Sequence, residues 1–530
     1  MNDVSELFHW VNWVVLFGYL ALTTWVGHLM RGKQASINDF FKGGKSLPWQ
    51  AVCGSIIATE ISGVTFIGVP GMVMAANGDF TYMLWGIGSV IGRVIVGLYF
   101  VRTFYEGNIY SPYDYMGQRI NPRLKTLATV FFSLGSILGQ SVRVLVAALP
   151  LKVVTGLPFE LCIVIIGLFA VGWTLMGGMR TVIWTDVMQF FLFTVGGLLS
   201  LYWMISHLDG GFAEYWETAS NAGKTQIWDA RFGFAPEFEF TFWVALLAVP
   251  FQNLTAFGVD QLNAQRMFCC KSPEDAKKAI IWSSVGQLLT LLMLLVGAGL
   301  FVFYATHPAE GVVGEALQFN ENGVPADGDK VFPVWIISEL PIGLSGLILA
   351  AVFAAAISSL DSILAALSQT TLSLFHNPDS QEQADQAHQD RLVRKSRILV
   401  VIWGIVLTLF TMAMYVAKER MGVPILPLAF GMTAYTMGPL LGMFLVSLRG
   451  EGSLKGLVIG SVLSFIFVAF IRMDLWVLLE NVGLSLDWLA SLPTYEMNDA
   501  GQIKPTVGYF WAWPLTTAIT FFLGTRVGRH

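Results

Sequence analysis

Charged residues are scarce in this 530-residue chain: Asp, Glu, Lys and Arg make up 13% of it, whereas a soluble domain carries about a quarter. So low a charge content excludes an ordinary cytosolic enzyme, a disordered chain, a coiled coil and a nucleic-acid-binding protein. Cysteine is also rare. Four cysteines are too few for a disulfide framework, and no His/Cys cluster has zinc-binding spacing. Hydrophobic residues, in contrast, make up 55% of the chain, which indicates a membrane protein.

Long apolar runs recur along the sequence, and a helix that crosses a bilayer needs about 20 such residues. We predict an all-α polytopic membrane protein with thirteen transmembrane helices. They lie at approximately 9–30, 47–70, 80–101, 126–151, 157–178, 182–206, 239–262, 279–304, 343–371, 398–417, 425–448, 455–471 and 506–525. The first run is too long for a cleaved signal peptide and follows acidic residues instead of basic ones.

The positions of Lys and Arg support this number of spans. If the N-terminus lies outside, the inner loops hold 21 of the 31 basic residues and the outer side holds 8. Cytoplasmic loops are normally enriched in Lys and Arg. We therefore predict an external N-terminus and a cytoplasmic C-terminus in a plasma membrane such as the bacterial inner membrane. The longest loops, 307–342 and 374–397, are too short for a catalytic or sensory domain, so the function must lie within the bundle.

The second predicted span contains glycines, hydroxyl groups and a carboxylate where a simple membrane anchor would have leucine. It includes Ala58-Thr-Glu60-Ile61-Ser62-Gly63 and, further on, Thr65 and Gly68. This composition fits a discontinuous helix, whose freed carbonyl groups can coordinate a cation. Close packing of helices through small residues would also explain the glycines. It does not explain Glu60, because an ionisable group at membrane depth is costly and usually functional.

The ninth predicted span carries a polar stripe, which reads Ala355-Ala-Ile-Ser358-Ser359-Leu-Asp361-Ser362. Positions 355, 358, 359 and 362 share one helical face. Their oxygen atoms suit a hard cation such as sodium. Packing of small residues would account for the alanines and some of the serines, but the added Asp361 favours an ion.

The sixth predicted span has a carboxylate, Asp186, less than two turns from the inner surface. This side chain is a candidate cation ligand, or a favourable charge near a helix N-terminus. A further alternative for Asp186, and equally for Asp361, is that each lies near the headgroups and bonds to backbone or arginine.

Five short segments together resemble the sodium/solute symporter family, which includes carriers of glucose, proline, iodide and sialic acid. In family order they are Gly43-Gly-Lys-Ser-Leu-Pro-Trp49, Ala58–Gly63, Trp184-Thr-Asp-Val-Met-Gln189, Gln265-Arg266 with Lys271-Ser272, and Ala355–Ser362, within the stretch from Phe40 to about Lys455. The resemblance implies a LeuT-like fold, in which two inverted five-helix repeats each begin with a broken helix. It divides the chain into an extra helix at 1–30, repeats at 47–206 and 239–448, and two peripheral helices within 455–530.

The resemblance also implies the binding sites. The main sodium site would use the backbone carbonyls of Ala58, Ile61 and Ala355 and the hydroxyls of Ser358 and Ser359. A second sodium site, present in some members, would use Asp186, Ser358 and Ser362, and Asp361 here replaces a neutral small residue. One sodium ion, or two, is therefore the expected coupling ion. The substrate would lie between the broken helices, and its candidate residues are Thr59, Glu60, Ser62, Gly63, Thr65, Arg143, Asp260, Gln261 and Phe430.

Arg143 gives the main indication of substrate type. It lies roughly one turn from the position at which sialic acid carriers have a carboxylate-binding arginine, and a guanidinium pairs with a carboxylate in bidentate fashion. Pairing with an acidic residue of the protein is the alternative, for Arg143 and equally for Arg93. The galactose-type carriers have an acid, a glutamine and a tyrosine at three positions that differ in this chain, which disfavours a neutral hexose; the residues here are Gly86, Phe430 and Asp260-Gln261-Leu262.

We predict a sodium-coupled symporter that imports a small polar solute, an organic acid or an acidic sugar such as sialic acid, by alternating access. The alternatives are a sodium-coupled carrier of neutral sugars or amino acids, proton coupling through Glu60 or Asp361 and, more distantly, a membrane sensor, an intramembrane enzyme or a channel. The chain is therefore not expected to be an enzyme. Its expected partners are a small-molecule substrate and the lipid bilayer, and no nucleic acid. The oligomeric state is left open, and a monomer is compatible with the sequence.

Overall fold

The computed structural model describes residues 4–30, 43–106, 109, 111–176, 178–375, 386–421, 424–474, 476, 487–497 and 503–527. These residues form α-helices of widely different lengths. In chain order they are α1 (Trp10–Met30), α2 (Trp49–Glu60), α3 (Val69–Met74), α4 (Trp85–Ile95), α5 (Val101–Glu106), α6 (Pro112–Arg119), α7 (Pro122–Thr155), α8 (Phe159–Met176), α9 (Met179–Ser206), α10 (Gly211–Asn221), α11 (Phe242–Leu247), α12 (Val249–Gly258), α13 (Gln261–Met267), α14 (Pro273–Trp282), α15 (Gln287–Thr306), α16 (Gly311–Leu317), α17 (Gly328–Glu339), α18 (Leu344–Phe375), α19 (Gln386–Met421), α20 (Ile425–Thr433), α21 (Met437–Arg449), α22 (Leu454–Ile471) and α23 (Ala512–Arg526). Two short strands, β1 (Tyr495–Met497) and β2 (Ile503–Pro505), pair in antiparallel fashion.

The described residues include nine helices that are long and apolar enough to cross a membrane, or ten if a bent helix pair is counted as one span. Three further predicted spans fall on elements of other kinds: the apolar helix α8, the interrupted pair α11 and α12, and the 15-residue helix α23. The predicted all-α membrane fold is therefore confirmed. The number of thirteen spans stays a prediction, because these three elements are shorter than a typical membrane-spanning helix.

Helix α18 lies at the centre of the bundle and packs against α1, α7, α9 and α19. The most apolar part of α18 is 94% buried inside the protein, whereas that of α1 is only 22% buried. The outer face of α1 exposes large side chains such as Val14, Phe17 and Trp25. In a bilayer such a face costs nothing, because lipid tails are as apolar as leucine. The polar stripe of α18 is therefore shielded from lipid by the surrounding helices.

The second predicted span is a broken helix, as its glycines and hydroxyl groups indicated. Helix α2 ends at Glu60, and Ile61 leaves the helical conformation with ψ at 81°. A π-helical turn at Val64–Gly68 then leads into α3. The two halves meet at an angle of 53°. The backbone between them is non-helical, which membrane proteins tolerate only where it is buried in protein or lines a cavity.

A second break occurs between α12 and α13. Helix α12 ends at Gly258 and α13 begins at Gln261. Asp260 lies at the junction with an extended backbone, and its Oδ1 accepts a hydrogen bond of 2.8 Å from the N–H of Leu262. Asp260 is thus the N-cap of α13 and satisfies one of the N–H groups that a helix start leaves unpaired.

Helix α17, in the long loop predicted to be external, contacts the far end of the first broken helix. A Cβ added to Gly71 would lie 2.8 Å from the carbonyl oxygen of Gly328, so glycine lets the two backbones approach closely. The neighbouring Asp329 is buried, and its Oδ2 accepts a hydrogen bond of 3.1 Å from the N–H of Ile425. Because Ile425 is the first residue of α20, helix α17 connects the first broken helix to the start of α20.

The carboxyl of Asp329 makes the stability of this connection depend on pH. Burial raises the pKa of Asp329 to about 7, while nearby Lys418 opposes the shift. A carboxyl whose pKa is higher in the folded than in the unfolded chain contributes stability that is lost as the pH rises through the folded value. We therefore expect the Tm of the purified protein to fall as the pH is raised from below to above about 7, and to fall less in Asp329→Asn.

Glu321→Gln, in the same loop but exposed, is the matched control for thermal unfolding measured across this pH range. It should retain the full pH dependence of the natural protein. An identical fall of Tm in Asp329→Asn and in the natural protein would contradict the assignment of the effect to Asp329.

Candidate functional site

A cavity of about 180 Å³ lies between the two breaks. Residues of both broken helices and of α4, α7, α15, α20 and α21 line it. Seven of the nine predicted substrate residues contribute to this lining: Thr59, Glu60, Ser62, Thr65, Arg143, Asp260 and Phe430. The fold therefore brings most of the candidates from distant parts of the sequence to one cavity.

Gly63 and Gln261 lie elsewhere. A Cβ added to Gly63 would meet Val146 at 3.0 Å and Ala356 at 3.8 Å, so Gly63 allows the break to approach α7 and α18. The side chain of Gln261 is buried, and its Nε2 donates a hydrogen bond of 2.9 Å to Oε1 of Gln369 on α18. Neither residue lines the cavity, and next to Gln261 it is the helix N-cap Asp260 that does so. Substrate contacts of Gly63 and Gln261 stay predictions to which this cavity adds no support.

Arg143 brings a guanidinium to the cavity wall, where its Nη1 donates a hydrogen bond of 3.3 Å to the carbonyl of Thr59. Ser136 and Gln140 line the same cavity from earlier turns of α7. The spacing of four and three residues puts these three side chains on one helical face. Sequence reasoning missed Ser136 and Gln140, although this polar stripe in an otherwise apolar helix could have revealed them.

Arg93 pairs with Glu60, which decides between its two interpretations. The Arg93 side chain is fully buried, and its guanidinium contacts the carboxylate of Glu60. It also lies 4.3 Å from the centre of the Phe257 ring, a favourable cation–π distance. Glu60 keeps 22% exposure and accepts a hydrogen bond of 3.1 Å from Gln287. Glu60 is therefore held from two sides at the edge of the cavity.

Aromatic side chains line the end of the cavity that is predicted to face outward. The ring of Phe430 lies 4.8 Å from that of Trp85 and 6.2 Å from that of Tyr82, measured between centroids. The indole N–H of Trp85 donates a hydrogen bond of 2.8 Å to the carbonyl of Glu239. Sequence reasoning missed Tyr82 and Trp85, because aromatic residues at the end of a span are also typical of the membrane interface.

The break in the first helix releases two carbonyl groups that were predicted to bind sodium. In a continuous helix the N–H of Ser62 would bond to the carbonyl of Ala58, but it bonds to that of Glu60 at 2.9 Å. Likewise the N–H of Thr65, the natural partner of the Ile61 carbonyl, bonds to that of Ser62 at 2.9 Å. The oxygen atoms of Ala58 and Ile61 are thereby left without their usual helical donors.

Helix α18 packs against this break at the level of its polar stripe. Ala356 lies next to Gly63 across the two helices, and Ser359 is fully buried. The side chains of two other predicted sodium ligands, Ala355 and Ser358, lie outside the part of the chain that the structure describes. Released carbonyls and the hydroxyl of a buried serine are oxygen ligands of the kind that sodium requires.

Asp186 and Asp361, the two acidic candidates for a second sodium site, are both buried within the bundle and belong to one network. Oδ2 of Asp186 accepts hydrogen bonds from Ser55 at 2.5 Å and from Arg266 at 3.0 Å. The same Nη2 of Arg266 donates to Ser362 at 2.7 Å, and Ser362 donates to Asp361 at 3.0 Å. Asp186 is thus paired with an arginine, which the sequence analysis gave as the alternative to a role as cation ligand. Arg266 belongs to one of the five segments that resemble the family, but the sequence alone assigns it no role.

Comparisons with known proteins agree with this geometry. The model of the Sodium:solute symporter family matches residues 40–460. The chain is 28% identical over 470 residues to the sodium/sialic acid symporter SiaT of Proteus mirabilis, which covers 88% of this chain and 90% of that protein. It is 30% identical over 380 residues to a sodium/glucose cotransporter of Vibrio parahaemolyticus, covering 69% of this chain and 68% of that protein.

A solved structure gives a further match. It is a substrate-bound, outward-open Na⁺-coupled sialic acid symporter, which is 25% identical to this chain and covers 97% of it and 96% of itself, with a TM-score of 0.76. This similarity confirms the predicted LeuT-like fold. The relatives are transporters, as the prediction of a non-enzyme requires. Since the family model spans well over half of its length, the chain belongs to the sodium:solute symporter family.

Proposed function

We propose that this protein imports sialic acid, a carboxylated sugar, together with sodium ions across the bacterial inner membrane. The observation that carries the proposal is the guanidinium of Arg143 on the wall of a cavity beside the released carbonyls of Ala58 and Ile61. The relatives from Proteus mirabilis and the solved structure are sodium-coupled sialic acid symporters. The N-terminus faces outward and the C-terminus faces the cytoplasm in this proposal.

The cavity contains groups suited to each part of such a substrate. The Arg143 guanidinium would pair with the carboxylate, which is a charge-assisted interaction. Aromatic rings at the outer end offer an apolar surface for the sugar ring. Polar side chains on the remaining walls would bond to hydroxyl and amide groups; they include Ser89, Ser136, Gln140, Gln252, Asn253 and Asn263.

Sodium would bind beside the cavity and drive the transport. The main site consists of the carbonyls of Ala58, Ile61 and Ala355 with the hydroxyls of Ser358 and Ser359, between α2 and α18. A second site consists of Asp186, Ser358 and Ser362, with Asp361 as an added anionic ligand. Each sodium ion that enters releases about 2.3 kcal/mol per 100 mV of membrane potential, in addition to the energy of its gradient.

Transport would follow from movements of the two halves of the core. The inverted repeats, residues 47–206 and 239–448, would rock against each other and expose the cavity first outside and then inside. The cavity is lined by helices of one chain, so in this proposal a monomer suffices for transport. The exposed apolar face of α1 would contact the acyl chains of the bilayer.

Replacing Ser359 tests the main sodium site. In Ser359→Ala one ligand hydroxyl is lost, and we expect the sodium concentration for half-maximal uptake to rise about tenfold, equivalent to about 1.4 kcal/mol. Uptake into proteoliposomes at varied sodium concentration measures this change. Ser373→Ala, on the same helix but with its hydroxyl bonded to the Thr370 carbonyl, is the matched control and should keep the natural value. Equal sodium dependence in both variants would contradict the site.

The proposed function is tested with purified protein reconstituted into liposomes. Labelled N-acetylneuraminate should accumulate when an inward sodium gradient is imposed and should not when choline replaces sodium. An excess of unlabelled galactose or proline should compete poorly. Accumulation that persists in choline would overturn sodium coupling. Strong competition by galactose or proline, without transport of the acid, would favour the neutral-sugar or amino-acid alternatives instead.

A further inference from the structure

The position of Arg266 suggests a role in the transport cycle that the proposed binding sites alone do not include. Arg266 belongs to α13, the second half of the second broken helix, and its side chain is fully buried. Its Nη2 donates at once to Oδ2 of Asp186 at 3.0 Å and to Oγ of Ser362 at 2.7 Å. Asp186 and Ser362 are two of the ligands proposed for the second sodium ion. The guanidinium therefore bonds to the same oxygen atoms that the ion would use.

The remaining bonds of the guanidinium hold it in this position. Its Nε donates to Ser55 at 2.9 Å, and its Nη1 donates to the carbonyl of Leu262 at 2.7 Å. Ser55 in turn donates to Asp186 at 2.5 Å. These partners come from α2, α9, α13 and α18, so Arg266 bonds to elements of both broken helices and of the proposed sodium site.

The two buried carboxyl groups beside Arg266 explain why a cation is needed at this position. Asp186 is fully buried and Asp361 is 1% exposed, and each carries a negative charge when ionised. Removing a counter-charge from a buried carboxylate is strongly unfavourable, because no water replaces it. With Arg266 in place, the three ionised groups together carry one negative charge. Without Arg266 and without sodium, they would carry two.

We propose that Arg266 is a tethered cation that takes the place of the second sodium ion between Asp186 and Ser362 while the carrier returns empty. Sodium and the guanidinium compete for the same oxygen atoms. Sodium arriving from outside displaces Arg266, and Arg266 rebinds as sodium leaves to the cytoplasm. The tether thereby assists sodium release and neutralises the empty site. This inference rests on the proposed sodium-coupled function and on the second sodium site.

Arg266→Gln separates this role from a structural one, because only net uptake requires the empty carrier to return. In proteoliposomes with an inward sodium gradient, we expect net uptake of labelled N-acetylneuraminate to fall about tenfold or more. In liposomes loaded with unlabelled substrate and equal sodium on both sides, exchange should stay within about twofold of the natural protein. Sodium binding to the purified variant, followed by tryptophan fluorescence, should be several-fold tighter because the competitor is gone.

Two further variants keep the test decisive. Arg266→Lys retains a cation and should preserve more net uptake than Arg266→Gln. The double variant Arg266→Gln/Asp361→Asn returns the group to one negative charge and should recover part of the net uptake at saturating sodium, with Asp361→Asn alone as its control. If Arg266→Gln does not fold, Arg266→Lys carries the test: a loss of exchange in proportion to net uptake in Arg266→Lys would indicate only a structural ion pair.

The outcomes distinguish this inference from the proposed function. If the natural protein shows no sodium-dependent uptake, the proposed function fails. If the natural protein is sodium-dependent and Arg266→Gln loses exchange in proportion to net uptake, or keeps both, the tethered-cation role is overturned and the proposed function stands. Weaker sodium binding in Arg266→Gln would likewise overturn the competition between the guanidinium and the ion.

Discussion

Replacing Arg143 by glutamine is expected to raise the substrate concentration for half-maximal uptake by about 100-fold or more, equivalent to about 2.7 kcal/mol. The variant removes the cation that would pair with the substrate carboxylate. It also leaves the acidic side chains of Glu60 and Asp260 on the cavity wall, and like charges disfavour an anionic substrate. The loss should therefore exceed that of an ordinary hydrogen bond, which is about 1 kcal/mol.

The measurement is the concentration dependence of N-acetylneuraminate uptake at saturating sodium. Arg143→Lys keeps the charge but not the planar fork of donors, so we expect an intermediate value. Arg123→Gln removes an exposed arginine at the start of the same helix and should behave as the natural protein. Uptake by Arg143→Gln with an unchanged half-maximal concentration would show that Arg143 is not a substrate ligand.

Replacing Glu60 by glutamine is expected to destabilise the folded protein by about 3–5 kcal/mol, because it leaves a buried charge without its partner. Arg93 has no solvent exposure, and Glu60 is the carboxylate that it contacts. The Phe257 ring beside Arg93 compensates only partly, since a cation–π contact contributes about 2 kcal/mol even when it is desolvated.

A double-mutant cycle with Arg93→Met measures the interaction through thermal unfolding of the purified variants. Replacing both members of a buried ion pair by uncharged residues is often nearly neutral. Glu60→Gln/Arg93→Met should therefore regain most of the stability that either single variant loses. Losses that simply add would show that the two side chains do not interact energetically.

Much of the fold could be read from the sequence, because a membrane imposes simple rules. Apolar runs located the spanning helices, and glycine and hydroxyl residues in place of leucine located the break after Glu60. Three predicted spans correspond to helices that are shorter than a typical membrane-spanning helix. Helix α8, the interrupted pair α11 and α12, and helix α23 pack against neighbouring helices, and a rule based on helix length alone does not detect such packing.

Candidate site residues could be identified from the sequence where one helix contains several of them. The residues of the α18 stripe are neighbours in sequence, and the stripe of Arg143, Gln140 and Ser136 was within reach of the same reasoning. The pairing of Arg266 with Asp186 was not, because it joins residues 80 positions apart and each has many acceptable partners. Gln261 illustrates a finer limit. Whether Gln261 or Asp260 lines the cavity depends on which of the two caps α13. A shift of the helix start by one residue would exchange their roles.

The contact between Gly71 and Gly328 has a mechanical consequence. No side chain separates the two backbones, so α3 cannot tilt toward α17 without pushing it. Because Asp329 bonds to the N–H of Ile425, the push would continue into the first turn of α20. The loop predicted to be external thus couples α3 mechanically to α20, and we expect a bulky residue at position 71 to force the backbones of Gly71 and Gly328 apart without contacting ion or solute.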